Sequence, residues 1–271
     1  MMLTDPHRVT SYRIRPPAWG GGPGLRIAIL ADIHACNPWM GLGRIGRIVE
    51  ETNALDPDLV LLLGDYEPAV FPVLSKVDRR ELAGRIAGLT APLGVFGVLG
   101  NHDWEHDREA RRRGSGPVAV GAALAEAGVG MLENQAVRLE KDGRGFWVAG
   151  LGSQLAISLK GGRRNWRGVD DLPATMAQID DNAPVLLMAH EPDIFPQVTE
   201  RVALTVSGHT HGGQVNLFGW MPMVPSRFGA RYAYGHVVEE GRHLVVSGGL
   251  GYSLLPLRFM RSPEIVMLEL S

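Results

Sequence analysis

The sequence predicts a single α/β domain in which two β-sheets stack face to face, with helices on the outside. In the first hundred residues, short apolar segments alternate with segments of helical periodicity, which is typical of parallel β-α-β units. In the second half, short apolar segments follow one another and are separated by glycine turns, which favours mixed or antiparallel pairing. Two stacked sheets accommodate both halves in one core.

The first half carries three predicted strands and two predicted helices. Residues 25–31, 59–63 and 95–99 are short and apolar, and each is predicted as a buried strand. Apolar residues recur at helical spacing over 42–56 and again over 79–89, which predicts a helix in each place. Because helices separate these strands, we expect the strands to pair in parallel.

The second half begins with a predicted helix over 118–127 and continues mainly with strands. Eight further strands are predicted, at residues 130–132, 136–140, 146–150, 185–189, 203–207, 236–238, 244–247 and 265–270. Residues 1–24, with a glycine-rich turn at 19–24, are predicted as an N-terminal extension and linker. Residues 25–271 are predicted as the one domain.

Composition excludes several classes of protein. The chain has 271 residues, a formal charge of −2 and a pI near 6.5, which gives no signature of nucleic-acid binding. A single cysteine, Cys36, excludes an internal disulfide framework and fits a reducing compartment. No apolar run approaches the roughly 18 residues that span a bilayer, and residues 1–10 lack the apolar core of a signal peptide. We therefore expect a cytoplasmic protein; no oligomeric state is predicted.

Side chains that bind metal ions follow the predicted strands directly. They are Asp32 and His34, Asp65, Asn101 and His102, His190, and His209 and His211. Alternation in Asp32-x-His34 and in His209-x-His211 places both members of each pair on one side of an extended segment. Carboxylates and imidazoles suit divalent Mn, Fe, Zn or Ni, and the two oxygens of Asp65 suit a bridge between ions. Two ions about 3.5–4 Å apart clamp a phosphate and generate a hydroxide nucleophile at neutral pH.

These motifs, taken in order, resemble a known family. The motifs are Asp32-x-His34, Gly64-Asp65, Gly100-Asn101-His102-Asp103, His190 and Gly208-His209-x-His211. Together they resemble the five motifs of the calcineurin-like metallophosphoesterases, from about residue 25 to 211. Residues 189–193, 212–215, 249–252 and 263–264 also resemble the bacterial YkuE-like branch. The resemblance implies a four-layer α-β-β-α sandwich of two mixed β-sheets flanked by helices.

The resemblance also implies a role for each residue. It implies that Asp32, His34 and His211 hold one metal, that Asn101, His190 and His209 hold the other, and that Asp65 bridges the two. It further implies that His102 is a non-ligand imidazole beside the scissile phosphate, and that Asp103 orients it or keeps it protonated. A cationic His102 would stabilise the phosphoryl oxygens or protonate the leaving group.

The expected function is hydrolysis of a small phosphate ester. We expect cleavage of phosphodiester or phosphomonoester bonds through a two-metal-activated hydroxide with His102 assisting, and manganese as the ion that supports activity in vitro. One alternative is pyrophosphate cleavage in a nucleotide–sugar lipid precursor such as UDP-2,3-diacylglucosamine, which needs an apolar groove; the candidate lining residues are Trp39, Met40, Phe218, Trp220 and Met221. A second alternative is a non-catalytic metal-binding scaffold, which loss of ligands would mark; none of the ligands is missing here.

The substrate pocket is less well specified by the sequence. Tyr66 follows the Gly-Asp motif and is predicted either to line the phosphate pocket or to cap the core. Arg163, Arg164 and Trp166 are candidate substrate-binding residues, since arginine suits bidentate phosphate recognition and tryptophan offers a stacking face. Residues 253–261 are predicted either as core plus a turn or as a cover over the mouth of the active site. Many membrane-attached members of this branch begin with a transmembrane helix, and this sequence shows none, which argues against membrane attachment and against lipid-linked substrates. A peripheral contact with membranes stays open.

Overall fold

A computed structural model describes residues 6–159 and 165–271 of the chain. Within these residues, twelve strands form two six-stranded sheets. In chain order they are β1 (Arg8–Ile14), β2 (Leu25–Leu30), β3 (Leu59–Leu62), β4 (Val95–Gly97), β5 (Gly130–Met131), β6 (Gln135–Lys141), β7 (Arg144–Gly150), β8 (Val185–Met188), β9 (Val202–Ser207), β10 (Gly235–Glu239), β11 (Arg242–Val246) and β12 (Glu264–Leu270). The first sheet has the order β1-β12-β2-β3-β4-β5, and the second has the order β10-β11-β9-β8-β7-β6.

Helices and short ribbons connect these strands. The α-helices are α1 (Leu42–Ala54), α2 (Arg79–Ile86), α3 (Asn101–Glu105), α4 (Arg108–Arg113), α5 (Ala119–Glu126) and α6 (Leu172–Met176). Three two-stranded ribbons pair Cys36–Asn37 with Ser75–Lys76, Ala69–Val70 with Ser253–Leu254, and Ile157–Ser158 with Trp166–Arg167. Among the described residues, no helix has the length and apolar content needed to cross a membrane.

Strand pairing follows the predicted division between the two halves of the chain. In the first sheet, β2, β3 and β4 run parallel, with Ile27 opposite Leu59 and Val60 opposite Val95. In the second sheet, β7, β8, β9 and β11 run parallel, whereas the edge strands β6 and β10 are antiparallel to their neighbours. The prediction of a parallel first half and a mixed second half is confirmed.

Alternating side chains of each strand place the sheets in a four-layer arrangement. Ile27 and Ile29 of β2 face the second sheet and share one buried cluster with Phe146 and Val148 of β7. The side chains between them, Ala28 and Leu30, face the opposite way and pack with Ile45 and Ile48 of α1. On the far side of the second sheet, residues of β8 and β11 pack with Ile194, Phe195 and α6. The predicted α-β-β-α sandwich is confirmed.

Strand β1 was not anticipated from the sequence. It pairs in parallel with β12 over seven residues, from Arg8 opposite Glu264 to Ile14 opposite Leu270. Most of its side chains are exposed or half-buried, and only Ile14 is buried, so the segment lacks the apolar character by which the other strands were recognised. Residues 8–14, expected in the N-terminal extension, therefore lengthen the first sheet at its edge.

Candidate metal centre

Loops that follow five parallel strands bring the predicted ligands together. Asp32 and His34 follow β2, Asp65 follows β3, Asn101 follows β4, His190 follows β8, and His209 and His211 follow β9. Six of these residues form two groups whose potential ligand atoms lie within 4.8 Å of one another. One group is Asp32, His34 and His211, and the other is Asp65, His190 and His209. Each group draws on both sheets, because carboxyl ends of strands from the two sheets face the same side.

Asp65 lies between the two groups. Its Oδ2 atom is 3.3 Å from Nε2 of His190 and 3.6 Å from Nε2 of His34, which belongs to the other group. Its Oδ1 atom accepts a hydrogen bond of 2.8 Å from the backbone N–H of His102. The carboxylate is therefore fixed with one oxygen directed at both sets of imidazoles, which is the geometry that a bridging ligand requires.

Backbone carbonyls fix three of the imidazoles. Nδ1 of His34 lies 2.7 Å from the carbonyl of Glu67, Nδ1 of His190 lies 2.6 Å from that of Leu63, and Nε2 of His209 lies 2.9 Å from that of Pro225. Because a carbonyl only accepts, each of these ring nitrogens must carry the proton. The other ring nitrogen then presents its lone pair to the centre, as in metal-binding histidines.

Burial gives these groups the character of metal ligands. Burial lowers the pKa of His34 and of His209 to about 4, so both imidazoles are neutral at physiological pH. Burial raises the pKa of Asp32 to about 7, because removal from water disfavours the charged form of a carboxylate. Asn101 Oδ1 and His190 Nε2 are buried and make no hydrogen bond within the described residues. Divalent metal ions would coordinate these buried ligand atoms, which have no hydrogen-bond partner, and would stabilise the charged form of the buried Asp32 carboxylate.

The backbone is bent sharply at the predicted ligands. Five of the seven, Asp32, His34, Asp65, His209 and His211, have φ between 48° and 67°. Such left-handed conformations cost about 1–3 kcal/mol each and are found mainly at functional sites. Gly64 precedes Asp65 with a φ of 88°, and a Cβ there would lie 2.5 Å from the backbone nitrogen of Gly100. The loops after β3 and β4 therefore approach each other only because residue 64 is glycine.

His102 lies beside the first group of ligands. Its ring meets the ring of His34 edge-on at a centroid distance of 5.3 Å, and its side chain is 25% exposed. Its Nδ1 atom lies 2.8 Å from the carboxylate of Glu105, one turn further along α3. Burial opposes protonation of His102, but the charges of Asp65 and Glu105 outweigh burial and raise its pKa. Glu105 was not singled out from the sequence, although its i+3 spacing from His102 on a helix was the available signal.

The structure shows no hydrogen bond between Asp103 and His102, although the resemblance implied that Asp103 orients this imidazole. Its carboxylate accepts four backbone hydrogen bonds of 2.8–3.0 Å, from the N–H groups of Gly100, Asp65, Tyr66 and Glu67. Asp103 is fully buried and lies on the inner side of α3, which directs it away from the imidazole. Asp103 therefore holds the loop that carries Asp65, and Glu105 takes the place that the sequence assigned to Asp103.

Arg258 is a second residue that sequence reasoning missed. Its guanidinium is buried, donates to the carbonyls of Gly248 and Gly251, and has Nη2 3.1 Å from Nδ1 of His211. Burial, followed by electrostatic interactions with His34 and Arg258, holds the pKa of His211 well below its usual range. Arg258 lies 47 residues after His211 in the chain, so no spacing in the sequence indicated this contact.

The predictions for the substrate pocket differ in how they compare with the structure. Tyr66 is 1% exposed, and its hydroxyl donates to the carbonyl of Val98 at 3.2 Å, so it caps the core and does not line a pocket. Trp166 is half-buried in a ribbon that packs against α3, on the side of the domain that carries His102. Its contact with a substrate stays a prediction. Arg163 and Arg164 lie outside the described residues.

Comparison with known proteins agrees with the motifs. The model of the family described as calcineurin-like phosphoesterase matches residues 25–213. The uncharacterized metallophosphoesterase YkuE of Bacillus subtilis is 29% identical, over 100% of this chain and 86% of that protein. The phosphodiesterase YaeI of Escherichia coli is 30% identical, over 90% of this chain and 82% of that protein.

Two further similarities cover only part of the other protein. The transmembrane protein with metallophosphoesterase domain of Danio rerio is 28% identical over 91% of this chain, which spans 53% of that protein. The solved structure of a putative 5'-nucleotidase from Staphylococcus aureus has a TM-score of 0.48 and 10% identity, over 84% of this chain and 49% of that chain. The resemblance inferred from the ordered motifs is confirmed by the family model and by the bacterial relatives.

Proposed function

Because the chain belongs to the calcineurin-like phosphoesterase family, we propose that it hydrolyses phosphodiester or phosphomonoester bonds with the help of two divalent metal ions. One observation carries the proposal: Asp65 connects two groups of buried ligand atoms, and the imidazole of His102, which is 25% exposed and belongs to neither group, lies beside them. The ligands account for metal binding, and the additional imidazole of His102 accounts for turnover.

Different residues of the chain have different roles in the proposed hydrolysis. When bound, two divalent ions would offset the charge of the phosphoryl oxygens and activate water at neutral pH. The seven predicted ligands would fix the ions, with Asp32, His34 and His211 on one, Asn101, His190 and His209 on the other, and Asp65 on both. Asn101 contributes a neutral oxygen, which limits the negative charge that an entering phosphate meets.

His102 would act on the substrate itself. Its Nδ1 is held by Glu105, so the imidazole has a fixed orientation and Nε2 is the nitrogen left for a phosphate ester. The raised pKa of His102 favours the cationic form, which stabilises the phosphoryl oxygens or gives a proton to the leaving alkoxide. Glu105 is therefore proposed as a positioning residue for His102.

The description of one relative favours a phosphodiester as the substrate class of this chain. The Escherichia coli relative is described as a phosphodiesterase, and this chain covers 82% of its length. The alternative of a nucleotide–sugar lipid precursor keeps some support, because Phe218 and Trp220 are exposed, but Met40 is fully buried and cannot line a groove. The non-catalytic scaffold loses support, since no predicted ligand is missing. We propose manganese as the ion for activity in vitro and a cytoplasmic location.

Metal analysis combined with a panel of esters tests the proposal. The purified chain would be stripped of metals, reloaded with Mn, Fe, Zn or Ni, and assayed on phosphomonoesters, phosphodiesters and pyrophosphates. We expect about two ions per chain and hydrolysis that is lost on chelation and restored by reloading. Binding of two ions without hydrolysis of any ester in the panel would refute the proposed activity and favour the scaffold.

A further inference from the structure

Exposed apolar side chains are concentrated in three short segments. Of the fourteen large apolar side chains that are exposed in the described residues, eleven lie in segments 71–74, 217–223 and 254–260. We name these three segments the apolar rim. Phe218 is 88% exposed and Leu74 is 80% exposed. Single exposed apolar residues are ordinary, but a contiguous group indicates a surface that binds a partner.

Backbone hydrogen bonds join the three segments into one surface. Segment 254–260 lies in the middle. On one side the backbone N–H of Phe71 donates to the carbonyl of Leu254 at 2.9 Å, where two short strands pair. On the other side the N–H of Asn216 donates to the carbonyl of Phe259 at 2.9 Å, and the N–H of Phe259 donates to Gln214. The apolar side chains of the rim are therefore neighbours in space.

The rim borders the candidate metal centre. The middle segment contains Arg258, whose guanidinium lies 3.1 Å from the imidazole of His211. Segment 217–223 lies between His211 and Pro225, and the carbonyl of Pro225 holds the imidazole of His209. Any partner that covers the rim would thus lie at the edge of the metal centre.

Parts of the rim have a backbone conformation that bulky residues usually avoid. Phe218, Leu254 and Met260 have φ values of 54°, 59° and 50°. A side chain with a Cβ is strained in this left-handed region, and burial in the core does not compensate here, because all three side chains are exposed. Strained, exposed apolar residues next to a centre of chemistry point to a role outside the fold.

The charge around the rim is mainly positive. Residues 68–77, 212–236 and 251–263 contain no aspartate or glutamate, although the whole chain has a formal charge of −2. A cleft of about 470 Å³ adjoins the rim, and its charged lining residues are the basic Arg44, Arg47 and Lys76 and one acidic residue, Glu81. Lys76 lies on the ribbon strand two residues beyond Leu74. In the part of the chain that the structure describes, Arg47 and Lys76 form no ion pair with a carboxylate.

We propose that the apolar rim docks this chain onto a bilayer that contains anionic phospholipids. Phenylalanine, tryptophan, leucine and methionine would enter the interface, while Arg47 and Lys76 would meet the acidic headgroups. A second copy of the chain is a poorer occupant. A two-fold symmetric contact through the rim would bring the same cleft close to its own copy, and its three basic side chains outnumber the single acidic one, Glu81, so repulsion would predominate.

Flotation with lipid vesicles tests the docking. Vesicles of phosphatidylcholine alone would be compared with vesicles that also contain phosphatidylglycerol, using the full chain. We expect binding to the anionic vesicles, weaker binding to the neutral ones, and loss with added salt. The double variant Phe218→Ser and Trp220→Ser should reduce the partition coefficient at least about tenfold, since two large apolar side chains are removed from the interface. The matched control is Val9→Ser with Val238→Ser. It removes two exposed apolar side chains that lie outside the rim, on β1 and β10, and it should leave partitioning unchanged.

Two further measurements locate the contact. Brominated lipids should quench a component of the tryptophan emission in the wild type, and Trp220→Phe should abolish that component without abolishing binding. Arg47→Glu with Lys76→Glu should weaken binding to anionic vesicles, whereas Arg144→Glu, at the start of β7, should not.

The outcomes separate membrane docking from its rivals and from hydrolysis. A folded wild type that binds no anionic vesicles overturns the proposal, as does an equal loss of binding in the control pair. Self-association that the Phe218→Ser and Trp220→Ser variant abolishes, without vesicle binding, assigns the rim to a second copy and also overturns it. Vesicle binding does not depend on hydrolysis, so either proposal can fail while the other holds.

Discussion

The candidate metal centre and the apolar rim are neighbours, yet they are held in opposite ways. The predicted ligands are buried and fixed by backbone groups; Asp32, for example, accepts hydrogen bonds of 2.9 and 3.1 Å from the N–H of His209. The apolar side chains of the rim are instead exposed, as the 88% exposure of Phe218 shows. The fold therefore fixes the side chains of the centre and leaves the apolar side chains of the rim exposed. Substitutions should therefore affect stability and turnover strongly at the centre and weakly at the rim.

The largest effect is expected at Asp65. Asp65→Asn removes the charge that lies between the two groups of ligands, so we expect loss of at least one metal ion and a fall in turnover of more than roughly 10³-fold. Metal content and kcat would be measured together. The control is Asp142→Asn, at an exposed turn position that also has a positive φ. Full metal content with unchanged turnover in Asp65→Asn would contradict the bridging role.

His102 should affect turnover without affecting metal content. For His102→Gln we expect a fall in kcat of roughly 10²- to 10⁴-fold, because an acid catalyst is lost. Both metals should remain, because His102 lies in neither group of ligands. His236→Gln, at an exposed strand position, is the control. Loss of a metal ion in His102→Gln would show instead that His102 is a ligand.

Asp103 should matter mainly for stability. Asp103→Asn replaces one acceptor oxygen by an NH₂ group that faces backbone N–H donors, so buried donors lose their partner. We expect a decrease in the free energy of unfolding of about 2–4 kcal/mol, measured by urea denaturation of the metal-free protein. An unfolding free energy equal to that of the wild type would show that another group satisfies these donors.

Substitution of Tyr66 tests whether this side chain belongs to the core or to the substrate pocket. Tyr66→Phe removes only the hydroxyl that donates to Val98, so we expect a loss of about 1 kcal/mol in the free energy of unfolding and no change in KM. The measurements are urea denaturation and steady-state kinetics. A raised KM with unchanged stability would return Tyr66 to the pocket.

The smallest effect on stability is expected at the rim. Phe218→Ser should change the free energy of unfolding by less than about 0.5 kcal/mol, since the side chain is 88% exposed. Hydrolysis of a water-soluble ester should keep the wild-type kcat. A destabilisation well above that limit would mean that the rim packs against the fold, which would remove the contrast with the centre.

The sequence was sufficient for the centre because its ligands follow buried strands. Each apolar segment could be recognised, and ends of parallel strands from the two sheets meet on one side of the sandwich. Strand β1 escaped recognition because its residues are mostly exposed. Arg258 and the true role of Asp103 depend on contacts between distant segments and on which face of α3 points inward. Tyr66 stayed ambiguous, because the sharp turn at Asp65, with φ of 57°, decides which way the next side chain points.

The division of each metal group between the two sheets has a consequence for folding. Asp32 and His34 come from the first half of the chain but are completed by His211, and Asp65 is completed by His190 and His209. On a nascent chain the group of Asp65 cannot form until residue 209 has been synthesised, and the group of Asp32 cannot form until residue 211 has been synthesised. Both groups also require that the second sheet has docked on the first. Metal uptake should therefore be a late event in folding, and it would report that the two sheets have joined.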